Sequence, residues 1–258
     1  MKRRGRGAWW IDGFHDPWVS TPARGSLYAP RMAFTGFSED TLAFLRELER
    51  NNTKLFFDAN KARFQKAWVE PAMELVVAVG PKLRKHAPSI SFEPRIGGSL
   101  MRMNRDVRFS KDKSPYKTHL DLFFWEGEDK GWGLPGFFFR LTEKQLMVGA
   151  GVHMLDKDGL ARYRAAVADE RGVALAKLVA KLRKLDGVVV GHKGYKKVPK
   201  GFDPDHPRAE LLRFDGLHAV YETPVPPELS SAGFADLVLA RFKTTSPLRD
   251  WLSDALSG

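Results

Sequence analysis

The chain has 258 residues, of which 43% are hydrophobic and 12% aromatic, with a formal net charge of +11 at pH 7 and no cysteine. This length and composition exclude a disordered chain, and the lack of cysteine excludes disulfides, thiolate nucleophiles and thiolate metal ligands. The apolar run 8–11 stops at Asp12, too early for a signal peptide or a membrane span. We therefore expect a cytoplasmic protein that does not associate with membranes.

Residues 1–31 combine glycine, proline, arginine and three tryptophans without any periodicity. We expect residues 1–31 to form a loose basic extension upstream of the true translation start, which would be Met32. A single α+β domain is expected over 32–258. Without this extension the chain keeps 36 basic and 29 acidic residues, a net charge of +7. The alternative is a basic, aromatic arm that contacts nucleic acid.

Helical patterns come first in the ordered part of the chain. Ser38 is a good N-cap, with Glu39 and Asp40 in the first turn, and leucines then line one side up to about residue 50. A second helical pattern runs over about 53–86. Pro71 must kink or restart this second helix, because a proline in mid-helix removes a donor and clashes with the preceding turn.

The middle of the chain changes to a period of two. Apolar and polar residues alternate over 101–109 and over 119–124, and two further strands are predicted at 136–141 and 146–153. Four successive strands with short connections predict an antiparallel meander over about 97–153.

Helices return after the meander. Apolar spacing predicts one helix that ends near Gly172 and another that is closed by Asp186 and Gly187, and short strands are predicted at 188–191 and 217–222. Ser246 and Pro247 have the residue types of an N-cap and first position, so they predict the start of a last helix. The fold class is α+β, with the meander covered by N-terminal and C-terminal helices.

A basic, polar stretch from Arg102 to His119 is the most distinctive feature of the sequence. Arg105 breaks the alternation of 101–109, since it falls in the row of residues that should point inward. A buried guanidinium requires a partner. That partner is either a protein carboxylate, with Asp106 or Asp121 as candidates, or the anion of a ligand.

Arginine forks and lysine charges around one point are the groups that bind phosphate or carboxylate. A second basic segment, 193–207, could close over the same anion, and the alternative is that the cations of both segments face water. The candidate ligand-binding residues are Arg105, Arg108, Lys111, Lys113, Lys117, Lys197 and Lys200.

Candidates for catalysis are Asp106, Tyr116 and His206, the last beside Asp203 and Asp205, which could orient it as a general base. A hydrogen-bonded loop explains that group equally well. The string 131–136 fits GxGxxG, but Phe137-Phe138-Phe139 follows it where the dinucleotide fingerprint requires a helix, and Pro135 lies within it, so we reject it as a cofactor site. We expect no metal and no cofactor.

Residues 105–118 resemble the signature of the uncharacterised family catalogued as domain of unknown function 2461. Three further pieces are similar to that family, namely 34–37, Asn51-Asn52 followed by Phe56-Phe57, and 199–203 with His206-Pro207. The family more often has Trp-Phe where this chain has Phe56-Phe57, which is a change in packing. The resemblance covers the chain from about Phe34 to its C-terminus, and it implies kinship without an activity.

Three functions remain open at the level of sequence. The first is recognition of a phosphorylated small molecule or another anion, with or without chemistry on it. The second is weak nucleic-acid binding through a basic face. The third is a role in protein interaction, with a purely structural network of Arg, Lys and Asp.

Overall fold

A computed structural model describes residues 33–257, except Asp129, Trp132, His192 and Lys193. The predicted extension 1–31 lies outside the described residues. Within the described part of the chain, no helix combines the length and the apolar character that crossing a bilayer requires.

Eight α-helices and two short turns of other helix types occur among the described residues. The helices are α1 (Glu39–Arg50), α2 (Lys54–Ala59), α3 (Lys61–Phe64), α4 (Glu70–His86), α5 (Lys157–Ala168), α6 (Arg171–Leu182), α7 (Ala209–Leu212) and α8 (Phe234–Leu256). A π-helical turn (Gln65–Val69) joins α3 to α4, and Pro71 lies in the first turn of α4. The chain keeps helical dihedrals up to Pro71, and the irregularity predicted at this proline takes the form of the π-helical turn just before α4.

Six strands form one antiparallel sheet in the order β1-β2-β3-β4-β6-β5. Their bounds are β1 (Ile90–Ser91), β2 (Leu120–Glu126), β3 (Gly136–Leu141), β4 (Gln145–Val152), β5 (Val188–Gly191) and β6 (Leu217–Pro224). The meander of β2, β3 and β4 and the α+β class are confirmed. The sheet is wider than predicted, because β6 pairs with β4 and carries β5 on its other side.

Both hydrophobic clusters of the core lie on one face of this sheet. Directly opposed residues share a face, and the pairs Leu122–Phe139 and Phe139–Val148 belong to the first cluster. Val152 and Leu217, opposed in β4 and β6, belong to the second. Helix α8 spans both clusters and covers the middle of the sheet. The opposite face, here called the far face, carries Asp121, Phe123, Trp125, Phe138 and Arg140.

Two predicted elements are wrong. Residues 101–109 form no strand, since only isolated bridges occur at Leu100 and Asn104. The last helix does not begin at Ser246, because α8 starts at Phe234 and contains Pro247. An internal proline costs a helix about 3 kcal/mol. Burial of apolar side chains on both sides of Pro247, among them Phe242 and Leu248, outweighs that cost.

Candidate functional site

The basic stretch forms a loop, here called the motif loop (residues 102–117), whose two legs run beside each other. Lys117 N–H donates to Met103 O at 2.7 Å, and Arg105 N–H donates to Pro115 O at 2.9 Å. The base of the loop joins the edge of β2, where Met101 N–H donates to Asp121 O. Residues 106–114 thus form the tip of the motif loop, away from the sheet.

Asn52 holds the returning leg of this loop in place. Its side-chain amide donates to Tyr116 O at 2.8 Å, and its side-chain oxygen accepts from Tyr116 N–H at 3.0 Å. The Tyr116 ring stacks on Phe57 with 4.3 Å between ring centroids. Burial raises the pKa of the Tyr116 phenol, with the Asp58 charge adding to the effect and Lys54 opposing it. A phenol in this setting stays protonated at neutral pH and anchors the loop by packing.

Arg105 has its partner within the motif loop. Its guanidinium donates to Asp112 Oδ2 at 2.5 Å and to Ser114 O at 3.1 Å. The Arg105 side chain is 14% exposed, so it is buried as predicted, although the strand from which this burial was inferred does not form. Asp112 is 59% exposed. Hydrogen bonds from Ser114 and then from Arg105 lower the pKa of Asp112 to about 2. Asp112, which was not one of the two predicted carboxylates, is therefore a partner of Arg105, while Asp106 pairs with Arg108 and Asp121 with Arg140.

The other charged residues of the tip also make local contacts. Arg108 Nη2 lies 2.8 Å from Asp106 Oδ2, and Lys113 Nζ donates to Val107 O at 2.8 Å. Lys111 is exposed. Phe109 is 93% exposed, which contradicts its predicted inward orientation. The reason is that 106–114 is a loop stapled by short-range bonds, so strand alternation does not apply to it.

A second group of cations lies around Lys130, and of its members the sequence identified only Lys117 as a candidate ligand-binding residue. The ammonium group donates to Gly97 O at 3.2 Å and to Gly98 O, and it lies 5.4 Å from the centroid of the Trp125 ring. Burial, together with the charges of three neighbouring cations, lowers the pKa of Lys130 to about 8, while Glu93 opposes this. The neighbours are Arg95, Lys117 and Arg102, and the four residues are here called the Lys130 cluster.

A buried carboxylate lies on the far face near the base of the motif loop. Asp121 is 6% exposed and accepts from Arg140 Nε at 2.6 Å and from Arg140 Nη2 at 3.0 Å. His119 Nε2 lies 3.2 Å from Asp121 Oδ2. Desolvation raises the pKa of Asp121, but the hydrogen bond of His119 and the charges of His119 and Arg140 outweigh it and lower this pKa to about 2. Asp121 is thus an ionised, fully paired carboxylate at neutral pH.

The second basic segment lies at the other edge of the sheet. Tyr195 N–H donates to Arg213 O at 2.6 Å, and Val198 and Phe202 pack against the second core cluster. A cavity of about 400 Å³ occurs there, lined by Lys196, Lys197, Val198, Pro204, Ala209 and Arg213. Lys200 is exposed. His206 Nδ1 accepts from Arg208 N–H at 3.0 Å, so this nitrogen closes a loop, as in the structural interpretation of that histidine.

The structure does not bring the two basic segments together. The motif loop leaves the edge of β2, whereas the second segment follows β5, and β3, β4 and β6 lie between these strands. Strands are about 4.8 Å apart, so the separation is about 19 Å. Lys197 and Lys200 therefore belong to a different surface from Arg105 and Lys117.

No cluster of three or more metal-binding side chains occurs among the residues that the structure describes. The pairing of Asp121 with Arg140 could have been predicted from the sequence, because these residues lie opposite each other in the hairpin of β2 and β3. Lys130 had no comparable signal, since it lies in the connection between these strands and meets its neighbours only through the fold.

Comparison with known proteins places this chain in a family. The family model described as "Conserved hypothetical protein (DUF2461)" matches residues 40–251. This match covers most of the chain, so the protein belongs to that family. No curated protein matches the chain.

Proposed function

We propose that this family member binds an anionic ligand, one that carries a phosphate or a carboxylate, at the Lys130 cluster. The observation that carries the proposal is geometric: Lys130 donates to Gly97 O, and the guanidinium groups of Arg95 and Arg102 lie beside the same glycine. Burial and the charges of Arg95, Lys117 and Arg102 accordingly lower the pKa of Lys130 to about 8. Cations held together in this way repel one another, and an anion between them relieves the repulsion.

The charge balance around the cluster supports the proposal. Glu93 is an acid that acts on Lys130, and it also pairs with Arg95 at 2.5 Å. Arginine and lysine together supply the donors that phosphate oxygens need, the first as a fork and the second as a point charge. The guanidinium groups of Arg95 and Arg102 converge beside Gly97, since a methyl group at this position would lie 3.7 Å from Arg95 Nη1 and 3.7 Å from Arg102 Nε.

Thermal unfolding with sulfate, at constant ionic strength set with chloride, tests the site. At ten times its dissociation constant a bound anion adds about 1.4 kcal/mol, which is a rise of about 3–6 °C for a domain of this size. Lys117→Gln should lose most of this rise. Lys177→Gln removes the same charge from the exposed face of α6 and is the matched control.

The pH dependence of sulfate binding tests the role of Lys130 itself. Sulfate keeps its charge throughout, and only protonated Lys130 attracts it, so affinity should fall as the pH rises through about 8. Lys130→Arg keeps its charge at high pH and should abolish this fall. Equal sulfate stabilisation in the wild type and Lys117→Gln, or the same pH profile in the wild type and Lys130→Arg, would contradict the proposal.

A further inference from the structure

The most exposed large hydrophobic side chain among the described residues lies at the tip of the motif loop. Phe109 is 93% exposed, and Leu55 follows at 82%. Single exposed aliphatic residues are normal on protein surfaces. An almost fully exposed aromatic ring, however, lacks the stabilisation that burial of its large apolar surface would provide. Phe109 therefore contributes little to folding.

The tip that carries Phe109 is tightly bonded within itself. Asp112 Oδ1 accepts from Ser114 N–H at 2.9 Å and from Ser114 Oγ at 2.6 Å. Lys113 reaches back to Val107 O, and Arg105 joins Asp112 to the base of the loop. These bonds fix the backbone on both sides of Phe109, so the ring is presented outward by a defined loop.

The charge around this ring is positive. Residues 105–114 contain Arg105, Arg108, Lys111 and Lys113 against Asp106 and Asp112. Arg108, which also pairs with Asp106, is 56% exposed and lies 5.8 Å from the centroid of the Phe109 ring, and Lys111 is exposed. An outward aromatic ring among exposed cations is the arrangement with which proteins bind single-stranded nucleic acid, where a base stacks on the ring and cations meet the phosphates.

We infer that the tip of the motif loop is a binding site for single-stranded nucleic acid, in which a base stacks on Phe109 and the backbone phosphates lie against Lys111 and Arg108. Duplexes fit this site less well, because their bases are already stacked within the helix. This site is separate from the anion site at the Lys130 cluster, and either proposal can be refuted without affecting the other.

Fluorescence anisotropy with a labelled 15-nucleotide oligo-dT, at low salt, tests the inference. Loss of one stacking contact weakens binding about 5- to 150-fold, so Phe109→Ala should raise the dissociation constant by that factor. Phe109→Trp should keep or strengthen binding. Tyr195→Ala removes another exposed aromatic ring, also beside an arginine, at the other edge of the sheet and should leave binding unchanged.

Salt and partner controls complete the test. Lys111→Ala should reduce the slope of log affinity against log salt by about 0.7, the value for one phosphate of a single strand. Phe109→Ala should unfold at the wild-type temperature and keep its stabilisation by sulfate. Equal oligo-dT affinity in the wild type and Phe109→Ala would overturn the inference, as would tighter binding to a duplex. Binding of the tip to anionic lipid vesicles but not to oligo-dT would also overturn it.

Discussion

Asp121→Asn removes the negative charge from a buried ion pair while it keeps the shape of the side chain. The carboxylate is 6% exposed and bonds to Arg140 through both oxygens. Its pKa of about 2, against an ordinary value of 3.8, corresponds to about 2 kcal/mol of stabilisation. Removal of one partner of a buried pair costs about 3–5 kcal/mol. Since asparagine still accepts a hydrogen bond, we expect a loss of about 2–4 kcal/mol at pH 7.

Urea unfolding of the wild type and Asp121→Asn at several pH values measures this loss. The pKa of Asp121 is lower in the folded state, so its contribution is complete above about pH 4 and disappears as the pH falls towards 2. The stability difference between the two proteins should therefore be large at pH 7 and shrink below pH 4. Asp58→Asn, which breaks exposed pairs with Lys54 and Lys61 on the surface, is the matched control and should change little. A difference that stays constant down to pH 2 would refute the assignment of the loss to the Asp121 charge.

Two further substitutions test how the motif loop is held. Asn52→Ala removes two hydrogen bonds to the backbone of Tyr116 and should cost about 1–3 kcal/mol in urea unfolding, more than Asn51→Ala. No loss beyond that of Asn51→Ala would show that the clamp is not needed. Arg105→Ala should cost about 1–2 kcal/mol, below the 3–5 kcal/mol of a buried pair, because its partner Asp112 remains 59% exposed to water. A loss above 3 kcal/mol would mean that Arg105 holds more of the loop than these contacts account for.

The elements with strong periodicity could be predicted from the sequence. Helix α1 follows Ser38 and has Glu39 and Asp40 in its first turn, as the capping pattern indicated. The strands β2, β3 and β4 have alternating rows of which one is apolar, except for Glu126 at the end of β2, and their short connections favour an antiparallel arrangement. In these segments the local secondary-structure preference and the pattern of buried residues favour the same element, so the sequence pattern was sufficient to predict it.

The region 101–109 could not be predicted correctly because its alternation has another origin. Aspartate, arginine and serine at close spacing bond to each other over two to seven residues, as in Asp106 with Arg108 and Asp112 with Ser114. Such local bonds compete with strand pairing. Met103 is buried and Phe109 is exposed although both belong to the same row, which shows that the row does not define a face.

The same local bonds change where a ligand should be sought. In the tip, Arg105 and Arg108 each contact an aspartate of the loop itself, so much of the signature specifies the shape of the loop. At the base, burial and the charges of Arg95, Lys117 and Arg102 lower the pKa of Lys130, a residue outside the signature. A cation that raises the cost of its neighbour's charge does not stabilise the fold, and sites that sacrifice stability in this way are commonly sites of function. We therefore expect a small anionic ligand to bind at the base of the motif loop. At the tip, Phe109 is exposed and can stack on an aromatic base of a binding partner.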